Sequence, residues 1–469
     1  MSKRNNGYDL ISTSPLICWI DEQNISTKRI DSYYYDYKFI KYEKRLKTFS
    51  GDTKKLEGLF RNITDGDHEK RDYVKDGIPF YTVKDISEFN IERNKELFIS
   101  EADHDRLKRS KLGEGNILIT KTGRLGTTAI VPKELGEGNI SADVAILKNK
   151  KFRFDSHYFA CFLNSRYGEL SIMRLMYGST RPRITLQDLP KIIIPLPSTE
   201  IQKYIGDKIR EAEKLKEESK KIEDETKKRL NSYINIDTYN NDNIYQNIKP
   251  SMIKNRLDAF YYQEKFMKLI RRIQSLQIGY KPLSHYINNV QIGKKPSVLH
   301  ENDGNIYFIE SSNISKNIIK LDESQKVSEN FYNKYRYKCA IYGDLLFAKD
   351  GATIGAVALV PEYIKRLMVN DHTIRIRLKN KLFSGYLYYF LTAAMGNMQL
   401  NRESSGSAQA GLKKDFAEDI IVPNINEELA EYFFEMENKR NLMIHKSKQL
   451  IQEAKQDVED LVEGNFAME

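Results

Sequence analysis

Cysteine is nearly absent from this chain. Its three copies, Cys18, Cys161 and Cys339, lie more than a hundred positions apart. That spacing excludes a disulfide ladder and a CxxC metal knuckle, and leaves buried free thiols as the expectation. Proline is also scarce, with 12 residues and no two adjacent. Without a Pro-Pro pair there is no Asp/Asn-Pro-Pro-aromatic loop of the kind that holds the target amine in an amino-methyltransferase. Long apolar runs are missing: the most apolar N-terminal stretch, 11–20, is interrupted by Ser12, Thr13, Ser14 and Pro15. It falls well short of the ~18 residues a membrane span needs, so a cytoplasmic protein with no membrane partner is expected. Neither the Gly-x4-Gly-Lys-Ser/Thr loop of a nucleotide motor nor the His-Glu-x-x-His pair of a zinc hydrolase occurs. The seven histidines are scattered, and the best dyad, Asp371-His372, joins sequence neighbours whose side chains rarely face one site. No catalytic, cofactor-binding or metal-binding residue is assigned, and the chain reads as a non-enzyme.

What remains is a globular composition, 40% hydrophobic and 30% charged, on a chain of 469 residues, long enough for two to four domains. The net charge of +10 suits a polyanionic partner, although an ordinary basic protein would carry it equally well.

The chain is written twice. Arg29-Ile-Asp-Ser-Tyr-Tyr-Tyr-Asp-Tyr-Lys-Phe39 returns 227 positions later as Arg256-Leu-Asp-Ala-Phe-Tyr-Tyr-Gln-Glu-Lys-Phe266. The segment from Gly115 to Pro132 returns from Gly343 to Pro361, with one residue inserted in a glycine-containing turn. Phe80 to Ile86 aligns in character with Phe308 to Ile314, and Gly178-Ser179 through Pro195 aligns with Gly406-Ser407 through Pro423, both at an offset of 228. Four matches in order at a nearly constant offset are hard to obtain by chance, though duplication alone also builds enzymes and scaffolds.

Each copy reads as a Tyr-rich opening, a mixed α and β body and a long charged helix. Ile117-Leu118-Ile119 and Thr128-Ala129-Ile130-Val131 flank Gly123 and Gly126 as strand, turn, strand, in preference to a phosphate loop. The runs at 192–194 and 420–422, stopped by Pro195 and Pro423, read as further strands, and 158–176 and 386–400 as helices. From 200 to 230, Ile201, Ile205, Ala212, Leu215, Ser219, Ile222 and Thr226 recur at helical spacing. From 427 to 463, Leu429, Phe433, Met436, Arg440, Met443, Ser447, Leu450, Ala454 and Leu461 make a near-heptad seam. Polar residues sit in both seams, so each helix needs a partner, and the other copy is the economical one if the two run antiparallel. The expected fold class is α+β: two similar mixed domains joined by two long helices in an antiparallel coiled coil with pseudo-twofold repetition. The expected boundaries are 1–197 for the first domain, 198–232 for its helix, 233–425 for a connection and the second domain, and 426–469 for the second helix. The Asn-rich stretch 231–255 is the connection, or a plain flexible linker. The two helical segments carry ten basic against nine acidic and five basic against ten acidic side chains, so the excess positive charge lies outside them, on the two domains.

The segment from Gly343 to Gly355, the Ser311-Ser312-Asn313-Ile314 stretch, the paired Arg-x-Asp-x-x-Tyr-Tyr openings and the Pro-ended strands before long helices resemble type I restriction-modification specificity subunits. The resemblance runs from Arg29 onward. It implies two target recognition domains that each read half of a split site in double-stranded DNA, with the helices as a ruler. It also implies partners: two methyltransferase subunits that bring S-adenosylmethionine, and restriction subunits that use ATP and Mg. The first 28 residues depart from the pattern. A duplicated DNA-processing enzyme and a protein-only scaffold remain as alternatives.

DNA-contacting groups are expected on loops. In the first domain these are Thr82 and Lys84, Lys121 and Arg124 at the glycine turn, and Arg181 and Arg183. In the second they are Ser311, Ser312 and Asn313, Lys349 at the turn, and Gln409 and Lys413. For any one of them a solvated loop residue is an equally good reading. Lys121 and Lys349 recur at equivalent places, which favours phosphate contact there. Residues 60–197 are the segment expected to be exchangeable between relatives.

Overall fold

Both faces of the strand through Ile117, Leu118 and Ile119 are covered, which is why that run shows no polar alternation. The computed structural model describes residues 8–13, 16–20, 25, 29–67, 69, 72–93, 97–178, 180–235, 253, 258–296, 304–315, 318–404 and 411–468. It divides into two compact units, Met1–Leu215 with Lys446–Glu469, and Lys216–His445.

In the first unit, Ile117–Thr120 lies between Thr128–Ile130 and Val144–Lys150, with Phe60–Asp65 beyond, all antiparallel. Ile117, Ile119, Ala145 and Leu147 point to one side, into a core with Phe159 and Phe162 of the helix Ser156–Asn164 and with Ile205 and Ile209. Leu118, Val144 and Ile146 point to the other side, onto Tyr81 and Ile140 of a three-stranded sheet. The second unit repeats the plan with Ile287–Ile292, Thr373–Leu378, Leu345–Ala348 and Val357–Leu359. There Leu345, Phe347, Ile374 and Ile376 face the helical side, and Leu346, Ala358, Ile309 and Val369 the sheet side.

The glycine segments are hairpin turns, as the strand-turn-strand reading requires. Gly126 N donates to Thr120 O at 2.9 Å and Gly355 N to Ala348 O at 3.0 Å. Both glycines hold φ near +80°, a conformation that disfavours a side chain.

Two expectations need correction. The helices read over 158–176 and 386–400 are each broken: Ser156–Asn164 and Arg166–Arg174 are separated by Ser165, and Phe383–Thr392 and Ala394–Ser404 by Ala393. Ser165 and Ala393 are extended, with ψ of 168° and 162°. Neither is a helix breaker by type, so the break comes from tertiary packing. Nor does Pro195 stop its strand, whereas Pro423 does end the other. Pro195 lies inside Ile193–Leu196 and Pro423 is the last residue of Ile421–Pro423, each in a two-stranded ribbon where a missing N–H is tolerated.

Those prolines have a shared use. The buried Tyr158 hydroxyl donates to Pro195 O at 2.9 Å, and Tyr386 donates to Pro423 O at 2.7 Å. Replacing either tyrosine by phenylalanine strands a buried carbonyl and is expected to cost about 1–2 kcal/mol. Denaturant midpoints of Tyr158→Phe and Tyr386→Phe check this, and the two losses should be similar. The Tyr-rich openings are held in parallel fashion: Arg174 Nε donates to Tyr34 O and Arg402 Nε to Tyr261 O, both at 3.1 Å. Each guanidinium also lies over the ring of the same tyrosine, at 4.4 and 3.6 Å.

The long helices span Thr199–Ile234 and Glu427–Glu463, 36 and 37 residues, or about 55 Å each at ~1.5 Å per residue. Within the first unit Lys208 pairs with Asp457 at 2.6 Å, and Ser447 Oγ donates to Ala212 O at 2.7 Å. Within the second, Arg440 Nε reaches Glu223 at 3.0 Å and Arg229 covers the Tyr432 ring at 4.8 Å. As numbers rise along one helix they fall along the other, so the pairing is antiparallel in each unit. Ile205, Ala212, Leu215, Ser219 and Thr226 of the expected seam are buried, and so are Ile209, Leu230 and Ile234, which the seam omitted.

The connection read at 231–255 begins later than expected, since the helix continues to Ile234, and most of it lies outside the described residues. Tyr8–Thr13 and Leu16–Ile20 form an antiparallel pair. Cys161 and Cys339 are free and buried. No helix among the described residues is long and apolar enough to cross a membrane.

Candidate nucleic-acid interface

The hairpin turn of each unit gathers the loops that flank it. In the first unit Lys121 N donates to Asp143 O at 2.7 Å, and Ile184 N donates to Lys121 O at 3.0 Å. Thr122 forms a β-bridge with Arg183, which also bridges Tyr177. Arg124 reaches across to Glu88, 2.5 Å away, beyond the Thr82–Lys84 loop. In the second unit Lys349 N donates to His372 O at 2.9 Å, and Leu412 N to Lys349 O at 2.8 Å. Asp350 bridges Gly411, and Thr353 Oγ1 donates to Ser311 O at 3.0 Å. In each domain equivalent backbone bonds therefore tie the turn to the segment that follows the helices, while the 82–88 and 311–313 loops approach the turn through side-chain contacts that differ between the units.

Their side chains divide into two groups. Thr82, half-buried, caps a short 3-10 turn: its hydroxyl donates to Asp85 at 2.8 Å and accepts from Lys84 N at 3.3 Å. In the second unit Asn313 stands where Asp85 stands in the first, and Glu310 where Thr82 does. Asn313 is 6% exposed, its Oδ1 accepting from Glu310 N at 2.8 Å and its Nδ2 donating to Glu323 O at 3.1 Å. Lys121 is 7% exposed, and its ammonium lies 2.5 Å from Asp65. Its counterpart Lys349 is half-buried, with the ammonium 3.7 Å from Asp350. The two turn lysines thus stand in different surroundings, because the position matching Asp65 on the preceding strand is Ile292.

The second group reaches solvent. Lys84, Arg124, Arg181, Arg183, Ser312 and Lys413 are exposed, and Ser311 is half-buried with its carbonyl engaged by Thr353. Gln409 lies outside the described residues. Long cationic side chains in the first unit, and a lysine and a hydroxyl in the second, are groups that bond phosphate oxygens and base edges.

Beside the loops of the two units stand three residues that sequence reasoning did not count among the DNA contacts. Arg29 lies over the Tyr177 ring at 4.1 Å, and its bond to Asp31 holds it still more firmly protonated. Glu88 is shared by Arg124 and Lys455, each at 2.5 Å. His372, weighed beside Asp371, instead turns its Nδ1 to Asp350 at 2.8 Å. These pairs lie too far apart in sequence for spacing to reveal them; only the glycine turn that carries Asp350 was conspicuous.

Two copies of one body, each presenting the same three loops beside a turn and each feeding a long helix, define a duplicated module. The model of the "Type I restriction modification DNA specificity domain" matches residues 52–231 and again 287–453. The chain belongs to that family. Among curated proteins it is 29% identical over 144 residues to the type I restriction enzyme EcoBI specificity subunit of Escherichia coli, a match that covers 31% of this chain and 30% of that protein. The S subunit of the type I restriction-modification system of M. genitalium aligns with 90% of this chain and 97% of its own, at 13% identity and a TM-score of 0.47. The HsdS subunit of Thermoanaerobacter tengcongensis aligns with 88% and 97%, at 14% identity and a TM-score of 0.29.

Proposed function

We propose that this chain is the DNA-reading subunit of a type I restriction-modification complex and performs no catalysis itself. Each unit reads one half of a bipartite site in double-stranded DNA through the loops around its hairpin turn, and the long helices set the spacing between the halves. Two methyltransferase subunits dock on the chain and supply S-adenosylmethionine, while restriction subunits supply ATP- and Mg-dependent cleavage. The complex works in the cytoplasm. The observation that carries this reading is the double match of the specificity-domain model to two bodies that repeat the same loop convergence. Lys84, Arg124, Arg181 and Arg183 in one unit and Ser312, Lys349 and Lys413 in the other are the groups that reach DNA. Lys121, Thr82 and Asn313 hold the loops in place.

Exchange of one domain tests this. The strand Asp52–Lys55 pairs with Ile193–Leu196, and Leu56 and Leu59 are fully buried in the same core. The exchanged segment is therefore 52–197, not 60–197, which would separate that strand pair. In a complex reconstituted with methyltransferase subunits, the exchange should change one half of the methylated motif and leave the other intact. An unchanged motif, or methylation or cleavage by this chain alone, overturns the reading.

A further inference from the structure

The second unit carries at its hairpin turn a side-chain arrangement that the first unit does not repeat. His372 Nδ1 lies 2.8 Å from Asp350 Oδ1, and Lys349 Nζ lies 3.7 Å from the other oxygen of the same carboxylate. Both backbones are tied down. His372 N donates to Asn370 Oδ1 at 3.2 Å, His372 O accepts from Lys349 N at 2.9 Å, and Asp350 is bridged to Gly411. The flanking Thr373 and Leu412 are buried, which anchors the exposed residues from behind. The histidine side chain nonetheless keeps 53% of its surface open.

The chemistry follows from which nitrogen is tied. An ionised carboxylate only accepts, so in the neutral ring Nδ1 carries the proton and donates to Asp350. Nε2 is then an acceptor, and among the described residues no hydrogen bond engages it. Lys349 beside the carboxylate compensates the charge that would otherwise repel a phosphate backbone. An acceptor held rigidly at a DNA-facing surface has two complementary groups in the major groove, the exocyclic amines of adenine and cytosine. An exposed ion pair of this kind adds little to stability, so folding does not account for it. In the first unit the corresponding positions are Thr122 and Asp143: Lys121 N donates to Asp143 O as Lys349 N donates to His372 O, and no imidazole is present.

We propose that His372, oriented by Asp350, is a specificity-determining residue of the second unit that accepts a hydrogen bond from a base exocyclic amine in the target duplex. This rests on the reading of the hairpin-turn loops as the DNA-contacting surface. Because the first unit lacks the pair, the effect is confined to one half-site.

The test is DNA binding by the chain assembled with its methyltransferase subunits, for wild type, His372→Ala and Asp350→Asn, against duplexes substituted at each motif position. His372→Ala should weaken binding to the cognate duplex about tenfold and relax discrimination at one base pair of one half-site. Asp350→Asn, whose amide can donate to Nδ1 as well as accept from it and so no longer fixes Nε2 as the acceptor, should relax the same position. At that position an analogue lacking the exocyclic amine should weaken the wild type by the same factor and leave His372→Ala unaffected. Unfolding temperature and assembly should be unchanged in both variants. If the wild-type complex selects a bipartite motif and His372→Ala keeps full discrimination at every position, or remains sensitive to removal of the amine, the role of His372 is refuted while the DNA-reading function stands. A wild-type complex that selects no motif refutes both.

Discussion

Replacing Arg440 by leucine should destabilise the second unit by about 3–5 kcal/mol, a fall of roughly 10 °C in unfolding temperature for a body of this size. Arg440 is 5% exposed and Glu437 1%, on the second long helix. Arg440 Nη1 donates to Glu437 at 2.9 Å, Nε donates to Glu223 of the first long helix at 3.0 Å, and Asn441 Nδ2 adds a bond to Glu437 at 2.9 Å. Burial holds the Glu437 carboxyl above its ordinary range, and Arg440 offsets only part of that rise. Burial also works against the arginine's charge, but Glu437 and Glu223 outweigh it and hold the guanidinium protonated. Removing the arginine leaves one carboxylate buried without a counter-ion and a second half-desolvated, which is the costly way to break such a group. The double replacement Arg440→Leu with Glu437→Leu should recover most of the loss, because two apolar groups need no mutual compensation. Denaturant or thermal unfolding of the two variants decides it. A single variant as stable as wild type, or a double variant no better than the single, would show that the network contributes nothing to the helix pair.

The same network shows what was legible beforehand. Arg440 was placed in the helix seam by its spacing alone, together with Ser447, and each occupies a buried position there. What spacing does not carry is the partner. Glu223, 217 residues away, and the Ala212 carbonyl that receives Ser447 follow only from the antiparallel pairing. The duplicated plan was visible because hydrophobic runs and glycine turns are local signals, and the two hairpins formed as read. The breaks at Ser165 and Ala393 were invisible because the apolar pattern continues through them. For the loops, spacing picks out segments that the fold does bring beside each hairpin turn, but it does not show what each side chain touches. Lys121 and Lys349 look alike in sequence, yet Asp65, 56 residues upstream, claims the first and Asp350, one residue away, lies against the second. Asn313 reads in sequence as a polar loop residue, but its amide is part of a cap that the first unit builds from Thr82 and Asp85.

On the proposed DNA-reading role of the hairpin-turn loops, alanine at Gly293 should disable the second unit's loops as well as lower stability, and alanine at Gly66 should do the same to the first. Neither glycine belongs to the repeated blocks recognised in the sequence, but each stands directly after the outer strand of its central sheet, Ile287–Ile292 and Phe60–Asp65. A Cβ on Gly293 would fall 2.1 Å from the carbonyl oxygens of Asn370 and Val369, and one on Gly66 would fall 2.0 Å from Ile140 O. These obstacles are backbone atoms, so no rotamer change relieves them. The strand must part from the loop it crosses, at a cost on the order of 3 kcal/mol. In the second unit that loop leads through Asn370, whose side chain receives His372 N, to the imidazole itself. In the first it leads through Ser141 to Asp143, whose carbonyl holds the hairpin turn at Lys121. Gly293→Ala should therefore weaken recognition of one half-site and Gly66→Ala of the other, each with a lower unfolding midpoint. Motif selection by the reconstituted complex, read beside thermal unfolding, checks both. Loss of stability with both half-sites still fully discriminated would show that the crossing supports the sheet and not the reading surface.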